Sequence, residues 1–330
     1  MNIAVVILNW NGKTLLQKFL PSIITHSKEA NIYVADNAST DDSIVFIKNE
    51  YPQIKIIKNK ENGGYAKGYN EALKYLTEDI FCLVNSDIEV TENWLTPILK
   101  TFNTEEKTAI IQPKILDYKN KAYFEYAGAA GGFIDKYGYP FCRGRIFNTI
   151  EKDQKQYNNN TNIFWASGAC FFIRKNTFNA LNGFDESFFA HMEEIDLCWR
   201  AYNLGYTTKY VAQSKVYHVG GATLNAINPK KTYLNFRNSL ATLTKNASGN
   251  IFFLIITRLI LDGLAAIKFL LEFKFAHILA ILKAHFSFYA WLPLLLKQRQ
   301  ALSQKKDYFK VKSIVWSYYI SKKNSYKKLL

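Results

Sequence analysis

Four short stretches of this chain are apolar, with Lys55 the one charged residue among them, and then stop abruptly in polar residues. Ile3–Leu8, Ile32–Ala35, Ile54–Ile57 and Ile80–Val84 do not alternate apolar with polar, as strands with one wet face would. Each must be covered on both faces. Between them lie segments with helical spacing, such as Leu15–Ile24, Ser43–Lys48 and Tyr65–Leu76. The order predicts an α/β fold with a mostly parallel central sheet flanked by helices. In such sheets ligands gather at the carboxyl edge, where loops and helix N-termini converge.

The residues at those edges are therefore the ones to weigh. Asn9-Trp10-Asn11-Gly12 follows the first run, Asp36-Asn37-Ala38-Ser39-Thr40-Asp41 the second, Asn62-Gly63-Gly64 the third and Asn85-Ser86-Asp87 the fourth. Taken singly, Asp36 and Asp87 read as helix caps or turn formers, and Gly63-Gly64 as turn punctuation. Taken together, they suit a nucleotide: a carboxylate can accept from a base or ribose, and glycines let a phosphate approach the backbone.

Further along, residues 117–160 are rich in Tyr, Gly, Asn and Lys with weak periodicity, which predicts an irregular connection. Order returns with FWASGACFFIRK, then NGFDESFFAHMEEIDLCWRAYNLGY, then the strand-like TTKYVAQSKVYHVGG. Glu193, Glu194 and Asp196 open a helix whose buried stripe is Leu197, Ala201 and Leu204. Acids there favour the helix dipole, but three within four positions repel one another, a cost better understood at a site. Ser167-Gly168 reads first as small-residue packing. Arg237, in YLNFRNS, has two open readings, a diphosphate contact and an ordinary surface ion pair.

The charge is uneven. Residues 251–330 hold fourteen Lys and Arg against three Asp and Glu, +11 of the chain's +15. That excess points to an anionic surface, and no nucleic-acid-binding module accompanies it. IFFLIITRLILDGLAAIKFLL and AHILAILKAHFSFYAWLPLLL are each about the ~20 residues that cross a bilayer, yet Arg258, Asp262, Lys268, His277, Lys283 and His285 interrupt them. They are expected to be amphipathic helices lying in the membrane plane. Cys82, Cys142, Cys170 and Cys198 are widely spaced in apolar context and read as reduced core residues. MNIAVVILNWNGK fits a first strand rather than a signal peptide, so a cytoplasmic catalytic part is expected.

VILNWNG, DNASTDDS, NGGYAKGYN, NSD, FWASGACFFIRK and FDESFFAHMEEIDLCWR, in that order, resemble the family 2 inverting nucleotide-sugar glycosyltransferases of the GT-A fold, and within them the rhamnosyltransferase-like branch. The resemblance covers about residues 1–240. It implies a Rossmann-like catalytic domain over 1–245, with a nucleotide-binding half to about 116 and an acceptor-binding half from 117. Residues 246–330 then form a basic, helical, membrane-associating or oligomerising region.

By resemblance Asp36 holds the base, and Asn85-Ser86-Asp87 binds diphosphate and a divalent cation, Mg²⁺ or Mn²⁺, with Asn85 standing where the family often has Asp. His218 completes the metal shell with Asp87; its plain reading is a histidine packed at a strand end. Asn9, Asn11, Asn62, Gly63, Gly64, Asn70 and Arg237 line the nucleotide-sugar site. Trp165, Ser167, Gly168 and Asp196 line the acceptor and sugar pocket, with Trp165 as a stacking wall. Glu194 is the catalytic base and Glu193 its alternative.

The implied partners are a TDP- or UDP-linked sugar, rhamnose among the candidates, a glycan or lipid-linked acceptor of cell-surface polysaccharide synthesis, the inner face of the cytoplasmic membrane, and a second copy of the chain. Two other readings compete. A glycoside hydrolase also uses paired acids and aromatics, but leaves Asp36 and Gly63-Gly64 without a role. A membrane-associated carbohydrate-binding scaffold would bind no nucleotide.

Overall fold

The computed structural model describes residues 1–220 and 228–330. The four apolar runs become β1 (Ile3–Asn9), β2 (Asn31–Asp36), β3 (Lys55–Lys58) and β4 (Ile80–Asn85), joined by α1 (Lys13–His26), α2 (Ser43–Glu50) and α3 (Gly64–Leu73). All four strands are parallel, in the order β4-β1-β2-β3. Successive residues of β1 enter different layers. Ile3, Val5 and Ile7 pack with Leu16, Leu20 and Ile23 of α1, while Ala4 and Val6 pack with Ala66 and Tyr69 of α3. Both faces of β1 and β4 are covered, which is why those runs do not alternate, whereas β3 at the sheet edge leaves Lys55 and Lys58 exposed, a correction to the expectation that each run is covered on both faces.

The chain continues through β5 (Ile88–Val90), α4 (Thr96–Thr104) and β6 (Thr108–Asp117). Four very short strands, β7 (Gly132–Ile134), β8 (Pro140–Cys142), β9 (Arg145–Ile146) and β10 (Thr149–Ile150), then form a separate antiparallel sheet. The expected irregular connection over 117–160 is thus corrected: Phe133, Ile134, Phe141, Cys142 and Ile146 are core residues.

Next come β11 (Thr161–Ile163), β12 (Cys170–Arg174), α5 (Lys175–Ala180), α6 (Glu193–Asn203) and β13 (Thr207–His218). β12 runs antiparallel between β4 and β6, and β13 lies parallel to β6, so one nine-stranded sheet spans both halves of the catalytic part. All four cysteines are buried thiols.

Helices α7 (Pro229–Asn246), α8 (Ile251–Leu271), α9 (Phe275–Gln300) and α10 (Tyr326–Leu329) complete the chain. Asn228 caps α7 through the Lys230 amide, and Asn250 caps α8 through that of Phe253. α9 lies along α7, and α7 touches α6.

Candidate active site

Strand register builds the crevice. Asn9 is level with Asp36, Asp36 with Lys58, and Leu8 with Asn85, so the polar residues after each run form one row at the carboxyl edge. Asn9 is fully buried, and its amide donates to Asp36 Oδ1 (3.1 Å), Ser39 Oγ (3.1 Å) and Ser43 Oγ (3.0 Å). It supports the floor instead of touching a nucleotide, a correction to its expected role. Asn11 Oδ1 accepts from the Thr40 and Asp41 amides and fixes the loop after β2. Asn62 Oδ1 receives the Gly64 amide at 3.0 Å, and Asn37 donates to the Gly64 carbonyl at 2.9 Å, which ties the third loop to the second. Gly64 has φ +74°, and a Cβ there would sit 2.3 Å from the Phe189 carbonyl oxygen. Only glycine meets both demands.

At the far end of the row Asp87 Oδ1 lies 3.1 Å from His218 Nε2, while Glu125 Oε1 lies 3.3 Å from His218 Nδ1. All three are nearly buried. Burial opposes a charge on His218, but the flanking Glu125 and Asp87 carboxylates prevail and hold its pKa up at about 10. Two ligands about 2.1 Å from a metal ion, at right angles to one another, stand about 3 Å apart, so Asp87 Oδ1 and His218 Nε2 have the spacing to share an ion that displaces the imidazole proton. Among the described residues no set of three or more His, Cys, Asp or Glu is grouped for a metal. A two-ligand site finished by substrate oxygens is what this donor set offers. Gly221, the last residue of VYHVGG, lies outside the described residues.

The acids stand on the first turn of α6, reached through an unusual backbone. Phe189 (φ 42°), His191 (φ 69°) and Met192 (φ 73°) all adopt positive φ without being glycine, at a cost on the order of 1–3 kcal/mol each. One side chain holds them: Asn238 Nδ2 donates to the carbonyls of Phe188 (3.1 Å), Ala190 (3.0 Å) and His191 (2.8 Å). The Tyr65 amide donates to the Phe189 carbonyl at 2.9 Å.

Glu193 is buried and Glu194 half-buried, and each has a carboxylate oxygen without a hydrogen-bond partner. Burial raises both above the usual carboxyl range, Glu193 furthest because the Glu194 charge adds to it. Backbone N–H groups of α6 and of Gly168 draw Glu194 back toward ionisation. The Gly168 carbonyl is held by Tyr65 OH at 2.7 Å, and a Cβ on Gly168 would lie 3.7 Å from Glu194 Cδ. The Asn85 amide at the end of β4 donates to the Ala169 carbonyl at 3.0 Å, so Gly168, with Glu194 against it, stands beside the carboxyl edge of the sheet.

Five other expected contacts are corrected. Trp165 is 2 % exposed, its indole N–H donates to the Phe133 carbonyl (2.8 Å), and its ring lies so close over Gly132 that no Cβ would fit. It is a core residue and no sugar can stack on it. Ser167 is buried, its amide donating to Gln112 Oε1. Asp196 is fully buried against Arg200 (2.8 Å) and Lys245 (3.0 Å); burial works against its charge, yet Lys245 and Arg200 hold its pKa down to about 2. Asn70 fastens Phe184 backbone and the Glu186 carboxylate. For Arg237 the surface ion pair is corrected: the side chain is buried, its donors reach Asn238 Oδ1, Tyr233 OH and the Ser187 carbonyl, and its guanidinium stacks 4.2 Å over Trp291.

Sequence reasoning missed Glu125, which sat in the segment read as irregular, and Asn238, beside the arginine it singled out. It also missed Lys231, at the start of α7, whose pKa burial lowers and the nearby Glu125 raises. The signal for Lys231 was the Asn-Pro-Lys-Lys helix start. The rings of Trp10, next to Asn9 and Asn11 in the chain, Tyr126, next to Glu125, and Phe189, against Gly64, are exposed.

A family model for glycosyl transferase family 2 matches residues 4–181, just over half of the chain. The chain belongs to that family. Two curated relatives resemble it more specifically. The N-acetylglucosaminyl-diphospho-decaprenol L-rhamnosyltransferase of Mycobacterium tuberculosis is 24 % identical over 230 residues, covering 65 % of this chain and 75 % of that protein. The rhamnosyltransferase WbbL of Escherichia coli is 23 % identical over 225 residues, covering 65 % and 82 %. Among solved structures, GalNAc-T7 with UDP, GalNAc and Mn²⁺ superposes with a TM-score of 0.58 at 16 % identity over 74 % of this chain; the chain spans 48 % of that protein's length. The fold is GT-A, and this glycosyltransferase family sets aside the hydrolase reading.

Proposed function

We propose that this family 2 glycosyltransferase moves a sugar, with inversion, from a TDP- or UDP-linked donor to a hydroxyl of a glycan or lipid-linked acceptor. The observation that supports the reading is the strained, Asn238-held start of α6, which sets Glu194 against Gly168, next to the Ala169 carbonyl that the Asn85 amide at the end of β4 meets at 3.0 Å. The acceptor oxygen attacks the anomeric carbon, the bond from that carbon to the phosphate oxygen breaks, and the nucleotide diphosphate leaves with the electron pair. Glu194 receives the acceptor proton, and Glu193 beside it keeps the pair from holding two charges in a buried site. Asp36 meets the base or ribose, and Gly63-Gly64 admit the diphosphate to the backbone. Asp87 and His218 would hold Mg²⁺ or Mn²⁺, which when bound neutralises charge on the leaving diphosphate.

The two curated relatives make rhamnose the sugar to test first. Residues 1–245 serve as the catalytic part and 246–330 as its attachment to the inner face of the cytoplasmic membrane.

The test is release of nucleotide diphosphate from a panel of nucleotide sugars with Mn²⁺ or Mg²⁺, with and without a glycan or lipid-linked acceptor. One donor should be consumed, chelator should stop it, and Glu194→Gln should lower acceptor-dependent turnover by about 10²–10⁴-fold. Turnover that survives chelation removes the metal from the proposal. An active Glu194→Gln removes the base.

A further inference from the structure

The C-terminal hairpin is inside out. On α8 the exposed stripe is Phe252, Ile256, Ile260, Leu264, Ile267 and Leu271, at the three- and four-residue spacing of one helix face. The opposite, buried stripe is Leu254, Arg258 and Asp262. Arg258 Nε donates to Asp262 Oδ1 at 2.7 Å and stacks 3.8 Å over Tyr139, Tyr139 OH donates to the same oxygen at 2.7 Å, and His285 Nε2 lies 3.3 Å from Asp262 Oδ2. Charges thus face the protein and apolar side chains face out, the reverse of a helix facing water. On α9 a second stripe, Phe275, Leu279, Leu282 and Phe286, is 49–72 % exposed.

We infer that this outer face of the α8–α9 hairpin docks in the plane of an anionic lipid bilayer. Continuous exposed apolar surface on this scale marks an interaction site. Its rim selects the partner. Lys268, Lys274 and Lys283 are exposed on the hairpin, the first two pairing with its one rim acid, Glu272 (3.9 and 2.7 Å), and Lys322 and Lys323 follow the exposed Trp316 and Ile320, whose neighbour Tyr319 lies under Lys268, so the rim stays net positive. Cations and aromatics bordering an apolar face suit the headgroup layer. Two copies of the chain meeting on this face would set like charges against one another.

α9 is long and apolar enough to cross a membrane by length and composition. Its inner stripe, His277, Ala280, Ile281, Ala284 and Phe288, is however buried, and His277 Nδ1 lies 2.7 Å from Thr232 Oγ1 of α7. The helix belongs to the domain surface and lies flat. The inference deepens the proposed reading, because a lipid-linked acceptor presents its sugar at that surface, but it does not need the transfer chemistry.

The test floats the full chain with vesicles of phosphatidylcholine alone or mixed with phosphatidylglycerol, follows donor hydrolysis in parallel, and measures mass in solution by sedimentation equilibrium. Wild type should partition onto the anionic vesicles at least tenfold better than onto the neutral ones. Ile260→Asp with Leu264→Asp should lower that partition by at least tenfold and leave donor hydrolysis unchanged. Failure of wild type to float, or flotation of the double variant equal to wild type, overturns the inference, as does a soluble dimer that the double variant dissociates. Flotation as described without hydrolysis of any donor would leave the docking face standing and remove the transferase reading.

Discussion

Asn238 carries more of the candidate site than any residue the motifs name. Its one amide nitrogen serves three carbonyls of the segment leading into α6, so the direction in which Glu194 points depends on a residue 44 positions later. Each such hydrogen bond contributes about 0.5–1.5 kcal/mol, comparable with the strain it opposes. Asn238→Ala should therefore lower kcat by about 10–100-fold with the donor KM little changed, because the nucleotide row on β1 to β4 is untouched. Steady-state kinetics beside a thermal melt decide it: a lower Tm with unaltered kcat would mean a purely structural role. The residue-scale contrast with the sequence reading is instructive. The positions of Asp36, Asp87, Glu193 and Glu194 were legible because strand ends and a helix start can be read from the pattern. Trp165 was misread, since its burial is set by Gly132, a partner 33 residues away that composition does not announce.

At the scale of elements, the long segments were readable and the short ones were not. β1 to β4 and α1 to α3 lie where continuous apolar runs and helical spacing put them, because a covered strand and an amphipathic helix each impose a period. β7 to β10 have two or three residues each, too few to show any period, and Glu125, in the segment before them, went unnoticed too. In α8 an amphipathic helix was legible from Arg258 and Asp262 interrupting the apolar run, but not which of its faces meets the protein. Those two residues form the buried one. Removing a single partner from a buried pair leaves an uncompensated charge, a loss of about 3–5 kcal/mol. Asp262→Ala should approach that, whereas Ile260→Ala on the exposed stripe should stay within about 0.5 kcal/mol. Urea unfolding of the two variants checks the difference, and equal effects would contradict the inside-out arrangement.

The whole molecule is closed by a buried carboxylate outside the crevice. Asp135, after β7, accepts from the Tyr137 and Tyr139 amides with one oxygen and from Ile314 with the other, all at 2.9 Å, and so staples the small sheet to the C-terminal tail. Burial pushes its pKa up to about 7, against the pull of those amides and of Arg258. The folded protein therefore binds a proton there more tightly than the unfolded chain, whose aspartate titrates near 4. Stability from this group is fully present below about pH 4 and is lost as pH rises toward 7. Asn cannot ionise, so the variant Asp135→Asn lacks that loss. Its Tm should trail wild type by most at pH 5 and by less at pH 8, measured by calorimetry at the two values. A gap that stays constant, or widens, would mean that Asp135 is ionised in the folded protein throughout, with the staple held by charge rather than by a shared proton.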